Sequence, residues 1–309
     1  MIDIKVVWHK IPDTDCTLAA IILANYLNEK WIYSATPYIQ GKLNKETEYL
    51  LKLLNIKTPE IKNSFPAWTS VALVDHNEKF QTLDNLSELN VEFVVDHHKV
   101  DFSCPSPLNM RVEKICSTCS ILYKMYNESN ITISKEIWTM MLAWILSDSL
   151  LFKSATTTKE DIEIAEKLKN ITWINDLESF AMPMFDAKSD LWDIKIKDLI
   201  KYDYKEFVLN WKKVGVGTLE TTNPWYALWR KDEILEWMKD IKESDKLDFI
   251  FLSIVDIIWE KNTSIVLDWN DSQIVEEVFS VKIENNLADL KRRLSRKKQI
   301  VPDLTNYFN

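Results

Sequence analysis

Glycine is nearly missing from this chain: it fills 3 of 309 positions, where ordinary usage of about 7% would give roughly twenty. That scarcity leaves few places where the backbone can turn left-handed cheaply. It also excludes a phosphate-binding P-loop, and Gly215-Val216-Gly217 lacks the third glycine of a dinucleotide fingerprint. Cysteine is sparse as well. Cys16, Cys104, Cys116 and Cys119 are too few to staple a chain of this length, and a reducing cytoplasm is the simplest setting. Basic charge is in deficit, with a formal net charge of −9, which argues against general nucleic-acid binding. No apolar run reaches membrane-spanning length. Met1-Ile2-Asp3-Ile4-Lys5 leads into a strand pattern rather than a signal peptide. Tryptophan, by contrast, is abundant at 13 residues.

Histidine is rare too, and its placement is informative. The chain has 4, and all fall at the ends of three short β-branched runs. Val6-Val7-Trp8 leads into His9-Lys10-Ile11-Pro12-Asp13-Thr14-Asp15. Val71-Ala72-Leu73-Val74 leads into Asp75-His76-Asn77-Glu78. Val91-Glu92-Phe93-Val94-Val95 leads into Asp96-His97-His98. Such segments read as parallel strands that deliver metal ligands at their carboxyl ends.

The pattern between them alternates strand and helix. Strands are expected at 4–8, 32–38, 71–75 and 91–96, with helices at 17–28 and 45–54, which gives βαβ units and a mainly parallel sheet. From Ser117 the chain reads as helical, at 122–128, 134–149 and 159–168. The middle helix is apolar on nearly every side and therefore buried; it delivers Asp148 at its end. The pattern weakens between 187 and 194. The expectation is an α/β protein of two domains: 1–187 for metal binding, a linker at 188–195, and a smaller α/β domain at 196–309. Strands at 213–218, 249–255 and 263–267 and a helix at 232–242 belong to the second part.

His9, Asp13, Asp15, Asp75, His97 and Asp148 form a mixed nitrogen and oxygen donor set. It suits first-row divalent ions such as Mn, Co or Zn better than Ca. Four converging carboxylates repel unless positive charge is bound among them, and six donors exceed the need of one tetrahedral ion. Two ions sharing a carboxylate is the economical reading, an arrangement that polarises phosphoryl oxygens. Against it, each Asp taken singly can be a turn former or helix cap; Asp15 could cap the helix that follows. Cys116-Ser117-Thr118-Cys119 is read as a capping turn for the next helix. The basic run Ser295-Arg296-Lys297-Lys298-Gln299 is either a solvated face or a polyanion clamp.

These segments resemble the DHH phosphoesterase superfamily and, within it, the family II inorganic pyrophosphatases, which depend on manganese or cobalt. HKIPDTDC at 9–16, VDHNE at 74–78, VVDHH at 94–98 and SDSLLFKSAT at 147–156 are similar to that family's N-terminal motifs. GKLNKET at 41–47 also matches, and YKEF at 204–207 and SRKKQIVP at 295–302 resemble its C-terminal signatures. The resemblance runs from His9 to Val301. It implies His9, Asp13 and Asp75 on one metal, and Asp15, Asp75, His97 and Asp148 on the other, with Asp75 shared. It implies His98, Lys205, Arg296 and Lys297 on the substrate, and an active site in the cleft between a DHH domain and a DHHA2-like domain. It further implies two Mn2+ or Co2+ per subunit, Mg2+ arriving with diphosphate, a bridging hydroxide as attacking group, and a homodimer formed through the N-terminal domain. Trp8 stands where the family usually has glycine, Ile11 where it has asparagine, and Cys116 where it has glycine. Other readings are an exopolyphosphatase, another DHH phosphodiesterase, or a folded variant with impaired activity. The glycine-rich GGGH segment usual in the nucleases is absent.

Overall fold

The structure, a computed structural model, describes residues 1–10, 14–154, 156–201 and 203–308, without the side chains of 14–16 and 80. The chain divides into two compact units, Met1–Lys188 and Ser189–Asn309.

The first unit is built on six strands: β1 (Ile2–Val7), β2 (Tyr33–Ile39), β3 (Glu60–Ile61), β4 (Ser70–Val74), β5 (Asn90–Asp96) and β6 (Asn109–Val112). They lie in the order β3-β2-β1-β4-β5-β6, and every pairing is parallel. Helices α1 (Thr14–Glu29) and α2 (Lys45–Leu53) follow β1 and β2. Helices α3 (Thr118–Glu128), α4 (Lys135–Asp148), α5 (Lys159–Thr172) and α6 (Leu177–Lys188) follow β6. Successive strands run outward from β1 in both directions, so the order reverses between β1 and β4. In open parallel sheets that switch point opens a crevice at the carboxyl ends of the strands.

Local chemistry explains most boundaries. Asn44 caps α2, accepting from the Thr47 amide, and α5 starts on a reciprocal capping box between Thr158 and Asp161. The expected all-round apolar helix is α4, with Met140 to Leu146 fully buried. Helix α6 has a weaker pattern because Pro183 lies inside it.

The second unit contains α7 (Ile196–Ile200), β7 (Tyr204–Leu209), β8 (Lys212–Thr221), α8 (Trp225–Trp229), α9 (Lys231–Ser244), β9 (Phe249–Asp256), β10 (Lys261–Val266), α10 (Trp269–Phe279), β11 (Ile283–Glu284), β12 (Leu287–Lys291), a π-helical turn (Arg296–Ile300) and α11 (Val301–Phe308). Its sheet runs β11-β12-β10-β9-β8-β7. Only β8 and β9 pair in parallel; the other neighbours are antiparallel. β9 is buried on both faces: Ile250, Leu252 and Ile254 join one core cluster, and Phe249 and Phe251 the other. Alternate residues of a strand point to opposite faces, so this one strand serves two cores. Two of the chain's glycines are needed for packing: a Cβ on Gly215 would collide with the Tyr204 hydroxyl, and one on Gly217 would lie 2.7 Å from Leu252 Cδ1.

Candidate metal centre at the carboxyl ends of the parallel strands

β1, β4 and β5 end side by side at the switch point, and each hands over one of the three expected segments. Asp75 is the first residue beyond β4. Its amide donates to the Val95 carbonyl at 2.9 Å, extending the ladder by one bond, while its backbone turns left-handed at φ 62. A non-glycine residue pays for that conformation, and such strain gathers at functional sites. Asp75 is 1% exposed.

Two imidazoles face this carboxylate from either side. His97 Nε2 lies 3.4 Å from Oδ1, and His9 Nε2 lies 3.9 Å from Oδ2. His97 Nδ1 is 3.0 Å from the Ile115 carbonyl. A carbonyl only accepts, so Nδ1 carries a proton and donates to it, which fixes the ring with Nε2 facing Asp75. Thr118 Oγ1 donates to Asp75 Oδ1 at 2.8 Å, fixing the rotation of the carboxylate. Donor atoms of Asp75, His97 and His98 lie within 4.8 Å of one another.

His98 is held differently. Its Nδ1 donates to Asp96 Oδ1 at 2.8 Å, and that bond raises its pKa to about 9. Burial opposes the ionisation of Asp96, but the hydrogen bonds from His98 and Asn77 outweigh it and hold the carboxyl at about 2. Asp96 also accepts the amides of His97 at 2.7 Å and His98 at 3.1 Å. One buried carboxylate thus organises the whole Asp-His-His turn and keeps His98 cationic. Burial pushes the neighbouring His76 the other way, to about 4, so His76 is a neutral packing residue whose Nδ1 sits 2.9 Å from the Val74 carbonyl.

Asp148 is the last residue of α4. Its Oδ2 accepts the Trp144 indole N–H at 2.9 Å, an i, i+4 pair on the same helix face. Burial first, and then the charges of Asp148 and Asp75, push the Cys119 thiol well above its usual range. Beyond Asp148 the chain makes a tight left-handed run at Leu150, Leu151 and Phe152, with φ of 48, 52 and 66. The Phe152 amide is anchored on Ser149 Oγ at 3.1 Å, and the Ser154 amide on the Ser149 carbonyl at 2.8 Å. Asp13 lies outside the described residues, and so does the side chain of Asp15.

In the second unit, Lys205 is exposed on β7 and Lys297 on the π-helical turn. Arg296 is not a solvated side chain. Its Nη2 donates to Asp203 Oδ1 at 2.7 Å and its Nη1 to the Asp203 carbonyl. Ser295 caps the turn, accepting from the Lys298 amide at 3.3 Å.

Three contributors escaped the sequence reading. Ser117 does cap α3, accepting from the Cys119 amide at 3.2 Å, as the Cys-Ser-Thr-Cys turn suggested; the next residue, Thr118, is the one that reaches Asp75. Asp96 and Asn77 carry no ligand signature, because their work is hydrogen bonding across loops. Position 8 is unusual: Trp8 is fully buried, and its indole N–H has no partner among the described residues.

The parallel sheet with acid and histidine at its switch point, followed by a mixed-sheet unit, is the architecture of the DHH phosphoesterases. The family model for the N-terminal domain of the DHH family matches residues 3–145, and that for the DHHA2 domain matches 182–307. A Bacillus subtilis manganese-dependent inorganic pyrophosphatase is 37% identical over 300 residues, covering 96% of each chain. A Deinococcus radiodurans protein described as a probable manganese-dependent inorganic pyrophosphatase is 40% identical over 308 residues, covering 97% of each. The solved structure of a Methanococcus jannaschii protein, provisionally assigned as a family II inorganic pyrophosphatase, superposes with a TM-score of 0.64 at 32% identity over 99% of both chains. This chain belongs to the family of manganese-dependent, family II inorganic pyrophosphatases.

Proposed function

We propose that the chain hydrolyses inorganic diphosphate to two phosphates at a pair of Mn2+ ions, with Co2+ as a substitute and Mg2+ arriving with the substrate. The observation that carries this reading is the Asp75 carboxylate, which offers a separate oxygen to each of two imidazoles. Donors that share one ion at about 2.1 Å each sit roughly 3–3.5 Å apart, close to these separations. His9, Asp13 and Asp75 would hold one ion; Asp15, Asp75, His97 and Asp148 would hold the other. When bound, the ions supply Lewis acidity and lower the pKa of water into the neutral range.

The remaining roles belong to the chain itself. Thr118 fixes the carboxylate, and the Ile115 carbonyl fixes the His97 tautomer. Such outer partners are what keep donors in place before an ion arrives. His98, cationic through Asp96, is suited to donate a hydrogen bond to a phosphoryl oxygen and to neutralise charge on the departing phosphate. Lys205, Arg296 and Lys297 would hold the diphosphate oxygens, Lys as point charges and Arg296 as a planar fork on exchanging its pairing with Asp203. The chain is also proposed to work as a homodimer through its N-terminal unit, on the strength of family resemblance; light scattering tests this. The reading itself is tested by phosphate release from Mg-diphosphate after preincubation with Mn2+, beside tripolyphosphate and a dinucleotide. Release selective for diphosphate is expected; release only from the longer chain or the dinucleotide would move the chain to another DHH activity.

A further inference from the structure

A cavity of about 510 Å3 lies in the first unit, away from the donor atoms. That volume falls within the range of small-molecule sites. Its walls are largely apolar, with Leu83, Leu86, Val91 and Phe102 among the residues lining it. Leu83 and Val91 belong to the buried cluster beneath the sheet, and Leu86 and Phe102 pack against it. Two charged groups stand at its rim. Asp84 is already paired with Lys10 at 2.5 Å. Lys79 is exposed and has no ion-pair partner among the described residues. The available charge is therefore positive, on a lining that otherwise favours hydrocarbon.

The walls are also tied to the metal loops. The Lys10 amide, next to His9, donates to the Gln81 carbonyl at 2.7 Å. In the segment leading into Phe102, Asn77 accepts the Asp101 amide at 2.6 Å and donates to the Lys99 carbonyl at 2.9 Å. The same Asn77 amide donates to Asp96 Oδ2 at 2.5 Å, and Asp96 holds the His97 and His98 turn. The segments flanking the lining residues thus hydrogen-bond to residues next to, or holding, the proposed ligands.

We propose that this cavity binds a small apolar organic anion, with hydrocarbon or an aromatic ring against Leu83, Leu86, Val91 and Phe102 and the anionic group on Lys79, and that its occupancy alters metal affinity through Asn77 and Lys10. The coupling rests on the metal-site reading; the binding does not. The test is fluorescence titration of 1-anilinonaphthalene-8-sulfonate onto the folded, manganese-loaded protein, with octanoate and inorganic phosphate as competitors. Saturable binding at one site per chain is expected, displaced by octanoate and not by phosphate. Ser87→Trp, which places bulk at an exposed lining position, should weaken it at least tenfold. Lys79→Ala should weaken it about fivefold, and neither variant should alter the unfolding midpoint. Absence of saturable binding, displacement by phosphate, or binding that survives both variants overturns the site. Saturating octanoate should then shift the Mn2+ titration midpoint of the metal-free protein at least threefold, and an unmoved midpoint overturns the coupling. Because the binding arm needs no turnover, a protein that fails to release phosphate from diphosphate would still decide the cavity.

Discussion

Among the described residues, left-handed backbone occurs in two settings, the loops that carry Asp75 and follow Asp148, and the surface turns. At Asp75, and in the run Leu150 to Phe152 that begins two residues after Asp148, the conformation lies at the candidate site. Asp75 is buried and gripped by the Val95 carbonyl and the Thr118 hydroxyl. At Trp31, Trp68, Trp173 and Trp211, with φ of 59, 67, 62 and 70, the side chains are 82%, 86%, 80% and 93% exposed. There the turn is held by the backbone, and the indole contributes little packing. A residue with a Cβ pays about 1–2 kcal/mol for this conformation, so both regions carry a similar backbone cost. What differs is the return: at Asp75 it fixes where a buried carboxylate points, and on the surface it follows from the shortage of glycine. No described residue at positive φ is a glycine, although glycine is what these positions favour.

The contrast breaks first at Asp75. Asp75→Gly keeps the turn and relaxes it, but removes the carboxylate. Diphosphate hydrolysis should fall about a thousandfold or more, since losing the carboxylate proposed to be shared by both ions removes more than the 10²–10³ of one lost oxyanion donor. Mn2+ content should fall with it, while the unfolding midpoint of the metal-free protein should hold or rise. Thr118→Val spares the backbone and removes only the grip on Oδ1. Mn2+ affinity should drop about ten- to a hundredfold, read by titration of the metal-free protein. Leu151→Gly relaxes the run behind Asp148; a several-fold loss of activity with a stability change within about 1 kcal/mol would show that this strain serves the site. On the surface the sign should reverse. Asn210 and Trp211 form the two-residue loop between β7 and β8, both at positive φ, where Asn-Gly is the preferred pair. Trp211→Gly should stabilise the protein by about 1 kcal/mol and leave activity unchanged; denaturant melts of Trp211→Gly against Trp211→Ala check that the gain is conformational.

The same contrast explains what the sequence could show. Strands β1, β4 and β5 were legible because β-branched runs ending in His and Asp leave a pattern in the chain itself. The β7–β8 hairpin was not, because Asn210-Trp211 hides its turn signal and the β7 residues are exposed or half-buried. Helix α6 was obscured by Pro183. Asp96 and Asn77 looked like neighbours of a motif, and only the fold shows that they bind its loops together. Thr118 sat inside a segment whose capping role was read correctly and whose second role needed the approach of β4 to the start of α3.

The carboxylate at the strained end of β4 is proposed to gather the ions that hydrolyse diphosphate. The most direct test measures bound Mn2+ and phosphate release in parallel on the unaltered chain and on Asp75→Gly. The expected result is close to two Mn2+ per unaltered chain with rapid, diphosphate-selective release, and the loss of both in the variant. Full turnover by the variant, or two bound Mn2+ in the variant at undiminished affinity, would contradict it.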